Sequence, residues 1–174
     1  MKTCIIGLLL LGLTNLTQGQ NNLAYTNTHI DHAPQHYTSN VSSLKNKAFV
    51  TAFNKKALPI VVQKMRDIAA RFNIEHLDSY TQKEKAVYDV VFNEGSHKIE
   101  AVYNHKGELM ASKEHYKSIS LPYSISAKIS QENPGWAFSD TSCMITYKKS
   151  EPNQVVYKVT LKKDQEKKTV TLSM

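Results

Sequence analysis

The stretch KAVYDVVFNEGSHKIEAVYNHKGELM, residues 85–110, decides the fold. Tyr88, Val90 and Phe92 fall on alternate positions, the two-residue period that puts side chains on one face of a strand. Ile99, Ala101 and Tyr103 do the same on the next run, with Lys98, Glu100 and Asn104 opposite. Between the runs, Asn93-Glu94-Gly95-Ser96 supplies a turn, since glycine adopts the positive φ that a tight reversal needs. A second turn around Gly107 sends the chain into a third run toward Tyr116. These features predict an antiparallel meander.

Outward from this stretch the theme repeats. In VVYKVTLKKDQEKKTVTLSM, residues 155–174, Tyr157, Val159 and Leu161 alternate with Lys158 and Thr160. The charged turn KKDQEKK then leads to Val170 and Leu172. Each sheet pattern follows a helical one. In LPIVVQKMRDIAARF, residues 58–72, Leu58, Val61, Val62, Met65, Ile68, Ala69 and Phe72 recur at the three-to-four spacing of one helix face. Gln63, Lys64, Arg66, Asp67 and Arg71 are assigned to the opposite, wet face, and Pro59 suits the first turn. Leu121-Pro122 opens a weaker helix with Ile125 and Ile129 on its stripe, and Asn133-Pro134-Gly135 stops it. Upstream, KAFVTAFNK (residues 47–55) alternates briefly and fits a short strand, with a helical turn as the alternative.

Leu58-Pro59 matches Leu121-Pro122, Phe72 matches Trp136, and VYDVVF matches VYKVTL. The expected fold class is therefore α+β, in tandem helix-plus-antiparallel-sheet units. The boundaries follow as a signal peptide over 1–19, a flexible polar arm over 20–46, a first unit over 47–117 and a second over 118–174. The leader reading rests on Lys2, the apolar run Cys4–Leu13 and the small or polar residues before position 20. That run is too short to span a bilayer, which takes about 20 residues. A periplasmic or secreted chain with no later membrane segment is the expectation.

LPIVVQKMRDIAARFNI, VYDVVFNEGSHKIEAVYNHKGELMAS, LPYSISAKISQENPGW and VYKVTLKK together resemble exported bacterial proteins with the β-lactamase-inhibitor-like, PepSY-like domain. The likeness covers roughly residues 47–174. It implies helices on antiparallel sheet in tandem, export across the inner membrane of a Gram-negative cell, and contact with a protease or peptide. Its motifs are structural, and no catalytic residue is carried over.

The chain carries 22 Lys and Arg against 15 Asp and Glu, a formal net charge of +7 that falls to +6 without Lys2. An exported basic chain meets anionic lipids, polysaccharides or acidic proteins, and nucleic acid is not an expected partner. Cys143 is the one cysteine beyond the leader, so no intrachain disulfide forms there. Its alternation with Ile145 and Tyr147 places it in the core.

No catalytic residue is expected, and no cofactor. Gly95, Gly107 and Gly135 are turn residues, so no glycine-rich phosphate loop exists. Neither a Gly-x-Ser-x-Gly elbow nor a His-Glu-x-x-His helix occurs. His29, His32 and His36 form the one tight histidine cluster and are the weak metal candidates, although Pro34 keeps a regular helix from aligning them. Trp136 is the residue that could serve a contact surface, against a role plugging the helix–sheet junction. These readings point to an exported, non-catalytic module that contacts a protein or peptide in the cell envelope through sheet faces or edges. The alternative is an envelope small-molecule or metal-binding protein.

Overall fold

The 85–110 stretch forms the hairpin its alternation calls for: β2 (Val87–Glu94) and β3 (His97–Asn104), followed by β4 (Leu109–Lys117). The computed structural model describes residues 45–174 in full and the backbone of residues 23–29. Later in the chain come β5 (Ala137–Lys148), β6 (Gln154–Lys163) and β7 (Glu166–Ser173). Strand β1 (Leu23–His29) precedes them all. The helices are α1 (Lys47–Thr51), α2 (Ile60–Arg71) and α3 (Tyr123–Glu132). The expected leader, most of the arm, and His32 and His36 lie outside the described residues.

The tandem α+β arrangement is not what forms. All seven strands belong to one sheet in the order β1 to β7, antiparallel throughout except where β1 runs parallel to β2. Among the described residues the helices are few and short, with α2 the longest at 12 residues, so the architecture is nearer all-β. The two meanders join because β4 pairs with β5, from Ala111↔Lys148 to Lys117↔Ser142. A separate unit would leave each of those edges with a row of unpaired N–H and C=O groups, and joining satisfies both. Alternation within a strand shows which face is buried but not which edges meet.

One core lies between the helices and one face of this sheet. Tyr88, Val90, Phe92, Ile99, Ala101 and Tyr103 from the first meander join Cys143, Ile145, Tyr157, Val159 and Leu161 from the second. Ile125 and Ile129 of α3 complete the same cluster. Cross-ties bind the halves: the Tyr157 hydroxyl donates to the Ala57 carbonyl at 2.6 Å, and Phe49 meets Tyr147 edge-to-face with centroids 5.0 Å apart. Each such aromatic or aliphatic side chain contributes about 1.5–3 kcal/mol when fully buried.

Two local readings are decided. Of the strand and the helical turn open for residues 47–55, the helical turn forms: α1 buries the consecutive residues Phe49 and Val50, which a strand would send to opposite faces. The stretch 20–46 contains β1, and its last residue is an anchor rather than part of a flexible arm. The buried Asn46 side chain donates to the Ala70 and Gly107 carbonyls, each at 3.1 Å, and accepts from the Leu109 N–H at 2.7 Å. Gly107, at φ +72°, lets the β3–β4 turn bring that carbonyl under Asn46.

Candidate binding face

Strand pairing sorts the side chains of the sheet into two populations. The core population faces the helices. On the other side the register aligns Asp89 with Val102, Val91 with Glu100, Glu100 with Lys113, Val102 with Ala111, and Lys113 with Thr146. No helix among the described residues packs on this side, and none of these residues belongs to the core cluster. Even so, Val91 is only 3% exposed. It helps line a hollow of about 310 Å³ with Asp89, Glu100, Val102, Ala111, Lys113, Thr146 and Lys148. The centre of the face is therefore apolar and its surround is charged.

The charge is mostly of one sign. Lys98, Lys113, Lys117, Lys148, Lys158, Lys162 and Lys167 project from this side, against Asp89, Glu100 and Asp140. That is a net +4 of the chain's formal +7, concentrated on one surface of the sheet. Lys98 pairs with Glu100, and Lys148 with Glu151 at 2.7 Å. Lys158, Lys162 and Lys167 have no ion pair among the described residues.

A second hollow, about 530 Å³, lies between the starts of α2 and α3, lined by Lys55, Lys56, Leu58, Pro59, His97 and Leu121 among others. The first residues of those helices, Ile60 and Tyr123, are 84% and 86% exposed. Neither residue stood out in the sequence, because each directly follows a proline and lies off its helix stripe.

The core side holds a polar network that the helix pattern concealed. Arg66, assigned to the wet face of α2, is 1% exposed. Its guanidinium donates to the Glu114 carboxylate and to the Phe49 carbonyl, and lies 3.9 Å from the Phe49 ring centroid. Glu114 also accepts from the Ser112 and Tyr116 hydroxyls, both at 2.8 Å. Burial pushes the Glu114 carboxyl above its usual range, while Arg66 and the two hydroxyls pull it back. The available signal was in β4, where Ser112 and Glu114 share the alternation of the buried Tyr116. A carboxylate on a core face calls for a buried cation.

Cys143 is buried, as its alternation predicted, and desolvation pushes its thiol up to about 12. At neutral pH it remains a thiol, the unreactive form. Arg66, Glu114, Tyr116 and Cys143 are all at most 3% exposed, which suits a network that acts in folding.

Trp136 is half-buried against the core at the α3–β5 junction, with the Lys168 ammonium 4.2 Å from its ring centroid. His29 ends β1 opposite Asn93 in the backbone register. Among the described residues, no three His, Cys, Asp or Glu side chains gather in a way that could hold a metal. No helix among them is long and apolar enough to cross a membrane. A scan against protein-family models and searches of curated proteins and of solved structures find no match.

Proposed function

We propose that the protein is an exported, non-catalytic binding module that receives a protein or peptide on the helix-free face of its sheet. One observation carries this reading: Val91, Val102 and Ala111 form an apolar centre with a charged surround of Asp89, Glu100, Lys113 and Lys148, on a side that no described helix covers. An apolar centre with a polar rim is the anatomy of a protein interface. Antiparallel sheets commonly keep one face for the core and leave the other free. The leader-like opening of the sequence supports export.

Photo-crosslinking tests the reading. A photoreactive side chain at Thr146 should give discrete adducts in intact exporting cells, and the same group at Ser130 on α3 should give none. Equal labelling from both positions, or no adduct from Thr146, would overturn it.

A second reading draws on the hollow between α2 and α3. Its size falls within the roughly 300–1,000 Å³ of small-molecule pockets, which favours a small ligand there.

A further inference from the structure

The last hairpin forms one edge of the sheet, and its backbone and charges show what would fit that edge. Strands β6 and β7 are joined by Asp164-Gln165, with Asp164 at φ +52° and Lys163 opposite Glu166. The phase of the ladder is set at its far end, where Val155 and Met174 exchange both backbone bonds, at 3.1 and 2.9 Å. Hydrogen-bonded pairs recur at every second residue of an antiparallel ladder. Glu166, Lys168, Val170 and Leu172 thus turn their backbone groups toward β6. Lys167, Thr169, Thr171 and Ser173 turn theirs outward, where no described strand follows β7.

The side chains of those outward residues lie on the helix-free face. Directly opposite Lys167 stands Lys162, with Lys158 on the same face of β6 and opposite Thr171. Like charges directly across a ladder are destabilising, and neither lysine of the pair has an ionic partner among the described residues. A second copy of the chain pairing through β7 would add lysines to lysines. An extended segment with acidic side chains on alternate positions would instead satisfy the free N–H and C=O groups and neutralise the lysine pair. Its two-residue period would send the carboxylates to the lysine side.

We propose that an acidic, extended peptide segment adds to β7 as an eighth strand, held by the outward backbone groups of Lys167, Thr169 and Thr171 and by Lys158, Lys162 and Lys167. The proposal rests on the reading of the helix-free face as the binding surface, and names its edge and the charge of its partner.

The test uses the full chain and a fluorescein-labelled octapeptide alternating Glu and Thr, with a Lys–Thr octapeptide as control. Only the acidic peptide should raise the anisotropy. On saturation, hydrogen exchange at the Lys167, Thr169 and Thr171 amides should slow by about tenfold or more, while Lys168 and Val170, already bonded to β6, should barely change. Lys162→Glu with Lys167→Glu should weaken binding by about tenfold. Thr169→Pro, at an edge position whose N–H points outward, should abolish the new protection. No binding, or binding without slowed exchange at those amides, overturns the eighth strand. Thr146 crosslinking still decides the broader face reading, so the two failures are separable.

Discussion

The two faces of one sheet are built from the same strands by the same alternation, yet they carry opposite chemistry. Toward the helices lie Tyr88, Tyr103, Tyr116 and Tyr157, all fully buried, around Arg66–Glu114, the one fully buried ion pair among the described residues. Away from the helices lie seven lysines, of which Lys158, Lys162 and Lys167 lack a counter-ion among the described residues. A buried charge must be matched when the chain folds, because removing it from water is costly. A solvated lysine imposes no such demand and can wait for a partner. The core side therefore sets stability, and the lysine side can be devoted to binding.

Substitutions on the two sides should separate these roles. The largest effect is expected at Glu114. Glu114→Ala leaves Arg66 charged and unmatched in the core and should cost about 3–5 kcal/mol in urea unfolding. Arg66→Met combined with Glu114→Leu should lie much closer to the parent, losing mainly the hydrogen bonds of Ser112, Tyr116 and the Phe49 carbonyl. A double variant as damaged as the sum of its singles would deny that these groups act as a pair.

Alkaline pH should come next. Burial raises the Cys143 thiol from 9.0 to about 12 and holds the phenols of Tyr103, Tyr116 and Tyr157 above 10.0. The unfolded chain loses these protons first, so above pH 9 it binds fewer of them than the native chain. Their contribution to stability is level below pH 9 and falls as pH rises toward 12, by about 1 kcal/mol per unit for the thiol alone. Urea midpoints from pH 8 to 11 check the sign, and a midpoint that rises would contradict it. The smallest effect belongs to the lysine side. Lys162→Ala should change stability by less than about 0.5 kcal/mol, toward a gain because Lys167 loses a repulsive neighbour.

Much of the core was legible because burial follows period: Tyr88, Val90 and Phe92, the α2 stripe, and Cys143 beside Ile145 and Tyr147 all lie where alternation puts them. What escaped depends on contacts between distant segments. Arg66 reads as solvent-facing until Glu114, 48 residues on, is placed under it. Phe49 and Val50 fit a strand until both are found buried together at one helical turn. The opposition of Lys162 and Lys167 is local and readable from the hairpin. Their alignment with Lys113 and Lys148 on one basic face requires the register across β4, β5 and β6. Periodicity gave no reason for the two meanders to fuse, and that fusion is what produces a broad face.

The fusion is tested most directly by urea unfolding followed with two probes at once. Trp136 fluorescence reports on the junction of α3 and β5, and far-UV ellipticity reports on the whole sheet. A continuous sheet over one shared core predicts coincident transitions with a single midpoint. An ellipticity curve in two steps, only one of which coincides with Trp136, would mean that the meanders unfold separately, and the shared core would have to be abandoned.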